Sequence, residues 1–476
     1  MALRVLTEVE ARGAYADVAL ARAARVLDPG GDPRRTRERA FAEELAYGVL
    51  RRLLTIDHVL AHYLRSPLSE LPVPVRNILR LGAYELLFAE TEAYAAVSQE
   101  VDLARRHGHA GTVALVNAVL RGISRERDAI LRGERVPFPS LAEDPVQAIS
   151  LRHSCPPWLV LRWLDRLGVE EAEALARSLS QVPPLLARCN LARVQPETLL
   201  ARLQEEGVEV RPARYLPECF QIASCPSPAV RLPSFQEGWF SFQDEGSALV
   251  VHVLSPQPGD MVVDACSAPG TKTAQILERM GGRGQVLAVD VHPYRLRLVE
   301  EGCRRLGLQG LQTLLGDARH LAEAVEARWG HLAEKVLVDV PCSGIGALAR
   351  RPDLRWRRQE SDLAALAALQ REILQGAAEV VGPGGTLVYS TCTTEPEENQ
   401  QVVNWFLATH PDFEPENLAP YLPAGLRGEE QGHCLQLWPH RHGTDGFFIS
   451  RLRRTQGRGQ GFRRVREKFQ RVGVNR

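Results

Sequence analysis

Val263-Asp-Ala-Cys-Ser-Ala-Pro-Gly-Thr-Lys-Thr273 decides how this chain folds. A short apolar run, Met261 to Val263, leads into a Pro269-Gly270 turn, and a helical pattern follows at once. Working outward, the same order of strand, turn and helix recurs. Gln285 to Val289, Leu311 to Leu315, Val336 to Val338 and Thr386 to Tyr389 are further strongly apolar runs, with helical patterns between most of them. Strands apolar on both faces suit a buried parallel sheet, which predicts a doubly wound α/β domain.

In such a sheet the carboxyl ends of the strands line the ligand crevice. The first turn lacks GxGxxG, and Thr271 separates Gly270 from Lys272, so neither a dinucleotide fingerprint nor a Walker A loop is present. The Pro269-Gly270 turn still leaves backbone amides to meet a ligand's polar edge. Three carboxylates follow at strand ends: Asp290, Asp317 and Asp339. An acid at the end of the second strand is placed to accept from ribose hydroxyls, and Asp290 fits that role. A strand-end aspartate also caps helices, but three around one crevice favour a nucleoside ligand.

Two cysteines stand just past strand-like runs, Cys342 in Val336-Leu-Val-Asp-Val-Pro-Cys-Ser-Gly344 and Cys392 in Thr386-Leu-Val-Tyr-Ser-Thr-Cys392. Both thiols are expected to face the crevice, which suggests covalent chemistry. Spacing alone does not say which of them attacks. Cys266, in the first turn, is read as lining, and the other six cysteines as small buried hydrophobes.

The chain has 476 residues, no net formal charge and 45% apolar content, enough for two to four domains. Its nine cysteines form no CxxC pair and no Cys/His set at zinc spacing, so reduced thiols and no metal are expected. No apolar run suits a membrane span and the start lacks a signal-peptide core, so a cytoplasmic location is expected. Residues 1–135 read as all-helical, 145–233 as helices plus a small α/β unit, 235–453 as the doubly wound domain and 454–476 as a basic tail. From Arg451 to Arg476 ten Lys/Arg face one acid, Glu467, a composition suited to neutralising phosphates.

Asp264-Ala-Cys-Ser-Ala-Pro-Gly-Thr-Lys272, Asp339-Val-Pro-Cys-Ser-Gly-Ile-Gly346, Arg351-Pro-Asp-Leu-Arg-Trp356, Ser390-Thr-Cys392 with Glu398-Asn399, and Asp445-Gly-Phe-Phe448 resemble RNA 5-methylcytosine methyltransferases. Phe242-Gln-Asp-Glu-Gly-Ser247 resembles that family's entry helix. Phe41-Ala-Glu-Glu-Leu-Ala-Tyr-Gly-Val-Leu50, Leu79-Arg-Leu-Gly-Ala-Tyr-Glu-Leu-Leu87 and Val116-Asn-Ala-Val-Leu-Arg121 are similar to NusB-type RNA-binding domains. The combination resembles the RsmB-type ribosomal RNA methyltransferases.

The resemblance implies a NusB-like helical domain, a small middle domain and a class I, Rossmann-like domain using S-adenosylmethionine. It implies methylation of carbon 5 of a cytosine in small-subunit ribosomal RNA, unassembled or partly assembled, with no protein partner required. By the same resemblance Cys392 is the nucleophile and Cys342 assists elimination. Asp339 meets the base, and Lys272 favours the thiolate or orients the pyrimidine. The cofactor would lie against Cys266, Ser267, Ala268, Pro269, Gly270, Thr271, Lys272, Asp290, Asp317 and Asp339. Arg350, Arg351, Arg355, Arg357 and Arg358 around Trp356 read either as an RNA-stacking surface or as a solvated basic helix entry. The contrasting readings are a catalytically silent RNA-binding or assembly factor, and an enzyme acting on another RNA such as tRNA. Retention of both thiols, Lys272 and the three aspartates speaks against the silent factor.

Overall fold

In the computed structural model, which describes residues 1–27, 33–89 and 91–456, the amphipathic stripes of the first 180 residues become helices. They are α1 (Ala2–Arg12), α2 (Ala16–Leu27), α3 (Pro33–Arg51), α4 (Leu53–Tyr63), α5 (Val73–Phe88), α6 (Ala93–His107), α7 (Ala110–Leu131), α8 (Pro145–His153) and α9 (Pro157–Leu179). Prolines mark the starts of α5, α8 and α9. Pro74 lies in the first turn of α5, where a missing N–H leaves no bond unmade. Asp144 caps α8 by accepting from the Gln147 amide at 2.9 Å. Val5, Val49, Leu60, Ile78, Leu79, Leu120 and Ile123 form the shared core. Gly48 permits α3 to cross α5 closely, since a Cβ there would stand 2.1 Å from the Tyr84 ring. Arg39 to Leu54 does not form one helix: α3 ends at Arg51 and α4 begins at Leu53, and Phe41 is 38% exposed.

These helices form one compact unit, Met1–Pro183, joined by Ala347–Glu360 from the carboxyl-terminal half of the sequence. Within that returning segment Arg355 is 1% exposed and donates to the carbonyls of Arg51, Ser154, Leu179 and Leu348. The Trp356 indole donates to Leu50 O at 2.7 Å and packs on the helical core. Arg357 lies over the Tyr15 ring at 3.9 Å and donates to Gly13 O. The basic and aromatic residues read as an RNA surface are therefore largely spent on internal packing. Neither an open stacking platform nor a solvated helix entry describes Arg355 and Trp356.

The second unit comprises Pro184–Gly346 and the chain from Ser361 onward. Its small sheet is built from β1 (Leu185–Cys189), β2 (Glu209–Pro212), β3 (Cys219–Ser224) and β4 (Phe240–Phe242), in the order β2-β3-β1-β4 with every pair antiparallel. The expected middle domain, 145–233, is redrawn by this. Its helices α8 and α9 pack in the first unit, and β4 lies beyond Pro233 because Phe240 pairs with Cys189 and packs edge-on against Phe220 and Phe235.

The large sheet contains β5 (Met261–Asp264), β6 (Gln285–Asp290), β7 (Leu311–Leu315), β8 (Ala333–Asp339), β9 (Val381–Thr391), β10 (Phe413–Pro415), β11 (Cys434–Gln436) and β12 (Phe448–Arg454). The order is β10-β12-β9-β8-β5-β6-β7, with β11 paired to β12. Strands β5 to β9 are parallel, as their apolar runs predict, whereas β12 runs antiparallel to β9 and makes the sheet mixed. From β5 the chain winds one way through β6 and β7, then the other way through β8 and β9. The switch point is thus at the adjacent carboxyl ends of β5 and β8, where sheets of this kind place their ligand crevice. Part of the basic tail belongs to this sheet: Arg451 pairs with Glu416 at 2.7 Å, and Arg454 with Asp412 at 3.2 Å. The rest of the expected tail, from residue 457, lies outside the described residues.

Candidate active site

Strand β5 delivers Asp264 to the crevice, and the following turn is pinned on both sides. Ala265 N donates to Leu337 O at 2.9 Å, and Ser267 N and Oγ donate to Val289 O at 2.9 and 3.0 Å. Arg295 donates to Ala268 O at 2.7 Å. Gly270 then adopts φ 104°, a conformation suited to glycine, and starts the helix Thr271–Met280. That helix is braced by the small sheet through a buried ion pair between Arg188 and Glu278. Asp264 accepts from Thr273 Oγ1 at 2.6 Å, and burial pushes its carboxyl up to about 7. Burial also raises the Cys266 thiol, which fits a lining role.

Asp290 closes β6 and is 7% exposed. Its Oδ1 accepts from His292 N at 2.8 Å, the helix-entry role weighed above, while Arg295 stands 3.6 Å from Oδ2. A carboxylate has about four acceptor positions, so capacity for a ribose hydroxyl remains. Asp317, beyond β7, is held by Arg319 at 2.7 Å, which keeps its carboxyl below the ordinary value. These residues therefore fit a nucleoside ligand lying across the ends of β5, β6 and β7.

On the other side of the switch point, the loops after β8 and β9 bring Cys342 Sγ and Cys392 Sγ to 3.3 Å. Lys272 Nζ sits 2.7 Å from Asp339 Oδ2, and Ser390 Oγ donates to Asp339 Oδ1 at 2.7 Å. Burial alone would lower the Lys272 ammonium, but Asp339, aided by Cys392, raises it overall. Its positive charge is thus secured beside the Cys392 thiol. The hydrogen bond with Cys392, then burial, push the Cys342 thiol well above its ordinary value. A cation thus stands near Cys392, and Cys342 favours its thiol form.

Glu398, quoted in a motif but assigned no role, locks this arrangement. Fully buried, it accepts from Ser343 N at 2.8 Å, from Ser343 Oγ and from Gln370 Nε2 at 2.9 Å, while Gln370 also donates to Pro341 O at 3.1 Å. Asn399 does the same for the second loop, accepting from Thr391 Oγ1 at 2.6 Å and donating to Thr393 O at 3.0 Å. Gly346 N donates to Cys392 O at 3.0 Å, tying the loops together. Gly446 donates to Gly346 O at 2.9 Å, and a Cβ on Gly346 would stand 2.2 Å from Gly446 O. The Asp445-Gly-Phe-Phe448 motif is therefore a backbone buttress for the Cys342 loop. Phe447 also lies under Lys272, with Nζ 5.2 Å from the ring centre. Among the described residues no cluster of His, Cys, Asp and Glu is arranged to hold a metal, and no helix is long and apolar enough to cross a membrane.

Comparison with known proteins identifies the arrangement. A family model described as 16S rRNA methyltransferase RsmB/F matches residues 251–453, the NusB family matches 1–125, and an RsmF/B-like ferredoxin-like domain matches 155–227. The chain is 35% identical over 456 residues to the "probable ribosomal RNA small subunit methyltransferase B" of Bacillus subtilis, covering 95% of this chain and 98% of that one. It is 34% identical over 417 residues to the ribosomal RNA small subunit methyltransferase B of Pseudomonas putida, covering 87% and 90%. The solved structure of PH0851 is similar over 95% of this chain and 98% of its own, at 28% identity and a TM-score of 0.74. A methyltransferase homolog from Pyrococcus horikoshii matches 65% of this chain and 98% of its own, at 28% identity and a TM-score of 0.55. With the domain order, the crevice and the sequence all in agreement, the chain belongs to the RsmB/F family of 16S rRNA methyltransferases, and its methyl donor is S-adenosylmethionine.

Proposed function

We propose that this chain methylates carbon 5 of a cytosine in small-subunit ribosomal RNA through a covalent bond from Cys392 to carbon 6 of the base. The observation that carries the reading is the pair of thiols 3.3 Å apart, with the bonded Lys272 and Asp339 close by. Carbon 5 of cytosine is a poor nucleophile until something adds to carbon 6, and a thiolate adds well. S-adenosylmethionine, when bound, supplies an electrophilic methyl group. Lys272 presents its charge to Cys392 or orients the pyrimidine, and Asp339, oriented by Lys272 and Ser390, accepts a hydrogen bond from N3 once attack at carbon 6 has placed charge on the ring and N3 has taken up a proton. Cys342 assists the step that removes the carbon 5 proton and releases Cys392. The turn from Cys266 to Thr271, with Asp290, Asp317 and Asp339, holds the donor.

The target must leave its stack to reach Cys392, which costs a few kcal/mol and favours unassembled or partly assembled RNA in the cytoplasm. In this reading residues 1–135 hold RNA, and 235–453 carry the chemistry. The test is transfer of labelled methyl groups to unmodified 16S rRNA followed by nucleoside analysis. Wild type should yield 5-methylcytosine. Cys392→Ala should yield none while keeping its cofactor affinity, and Cys342→Ala should accumulate an RNA adduct that survives denaturing gels. An adduct with Cys392→Ala instead would exchange the two roles, and label on any other base would overturn the proposal.

A further inference from the structure

We propose that Cys342 and Cys392 form a modification site for hydroperoxides, closing to a reversible disulfide that switches the enzyme off and shields Cys392 from irreversible oxidation. The loss of activity rests on the role proposed for Cys392; the chemistry of the pair does not. The sulfurs stand 3.3 Å apart, so bonding requires roughly 1.3 Å of closure to reach a disulfide length. Both residues are half-buried, as are Cys225 and Cys266, whereas Cys155, Cys189, Cys219, Cys303 and Cys434 are buried. Both carrying loops are braced by Glu398, Asn399 and the bond from Gly346 N to Cys392 O, which holds the two thiols in register. A thiolate, the form that attacks a peroxide, meets a fixed positive charge here in Lys272, held 2.7 Å from Asp339.

The chemistry balances with one hydroperoxide as oxidant. The Cys392 thiolate attacks the terminal oxygen, an S–O bond forms as the O–O bond breaks, and the departing oxyanion takes up a proton. Cys342 sulfur then attacks Cys392 sulfur. The S–S bond forms, the S–O bond breaks, and the departing hydroxide leaves as water with the Cys342 proton. The two thiols lose two electrons and two protons, and the peroxide is reduced to water and an alcohol, or to two waters if it is hydrogen peroxide. A neighbouring resolving thiol diverts the sulfenic acid before it reaches the sulfinic state.

The experiment treats the full-length enzyme with hydrogen peroxide, alkylates remaining thiols and maps peptides by mass. The expected product is a Cys342–Cys392 cross-link lighter by two hydrogens, with methyl transfer lost and then restored by dithiothreitol. In Cys342→Ser the same treatment should leave Cys392 as sulfinic acid, which dithiothreitol does not reverse. Sulfinic acid at Cys392 in the wild type without the cross-link, or a cross-link through another cysteine, would overturn the proposal. Absence of methyl transfer by the untreated reduced enzyme would count against the proposed reaction alone, because the mapped cross-link still decides this proposal.

Discussion

Replacing Glu398 tests whether the Cys342 loop depends on a buried carboxylate. Glu398→Ala removes the acceptor for Ser343 N, Ser343 Oγ and Gln370 Nε2. Each buried donor left unmade costs about 1–3 kcal/mol. Ser343 Oγ retains Thr393 Oγ1 at 2.8 Å and Gln370 Nε2 retains Pro341 O, so the Ser343 amide suffers most. Relief of a costly buried carboxylate offsets part of the loss, leaving a net destabilisation of about 2–4 kcal/mol. The functional effect should be larger than that figure implies, because a displacement of ~1 Å at a reacting group costs on the order of a hundredfold. We expect kcat/KM for RNA to fall by that factor in Glu398→Ala while the cofactor Kd, by calorimetry, is unchanged.

Glu398→Gln keeps one acceptor oxygen and the volume, so it should fold nearly as well and separate loop position from stability. Its pH dependence gives a second measurement. Burial raises the Glu398 carboxyl above its ordinary 4.5, so the folded state favours the protonated acid. That contribution is fully present below pH 4.5 and is lost as pH rises through the folded pKa. Glu398→Gln should therefore gain in Tm relative to wild type as pH is raised from acidic to neutral. Native kcat/KM in Glu398→Ala would refute the reasoning.

Three further outcomes are expected. Asp290→Ala should weaken S-adenosylmethionine binding by about 1.5–3 kcal/mol in calorimetry, since ribose hydroxyls lose a charged acceptor; Asp290→Asn, which keeps an oxygen for His292 N, should show the loss without the structural cost, and an unchanged Kd in both would remove Asp290 from the site. Arg355→Ala leaves four buried carbonyls short of a donor and opens a void, so thermal unfolding of the full chain should show a loss of about 3–5 kcal/mol; an unchanged Tm would mean that the returning segment is not anchored as described. Deleting residues 457–476, which hold seven of the ten tail cations, should lower the log-log salt slope of RNA binding by about 0.7–0.9 per lost phosphate contact while leaving cofactor binding intact, and an unchanged slope would leave these residues with no role in binding.

Strands β5, β6, β8 and β9 were legible because strands covered on both faces are rich in apolar residues, whereas β7 is a half-exposed edge strand whose Leu311, Leu314 and Leu315 carried the pattern; the strand-end rule then gathered Asp290, Asp339, Cys342 and Cys392 as candidates for one site. Strand β12 was not legible: Arg451, Arg453 and Arg454 give it the composition of a basic tail, and only the tertiary partners Glu416 and Asp412 reveal a strand. The same ambiguity hid the segment around Trp356. Arginine beside tryptophan is the pattern of a nucleic-acid surface, but a buried guanidinium can equally be satisfied by backbone carbonyls, and sequence does not distinguish them. Glu398 is hard to single out in sequence, because Glu395 and Glu397 stand beside it and its partners at Ser343 and Gln370 are too distant in sequence to be paired by inspection.

The return of Ala347–Glu360 to the helical unit also sets an order of events during synthesis. A chain emerging from the ribosome carries all of α1 to α9 long before Arg355 and Trp356 are made. Until they arrive, the carbonyls of Arg51, Ser154 and Leu179 must wait on water, and the Leu50 carbonyl lacks its indole donor. The amino-terminal helices can collapse early, but their finished packing is deferred until some three-quarters of the polypeptide has been translated. A pause in translation before this point would expose an incomplete helical unit to proteases and chaperones, and one placed after it would not.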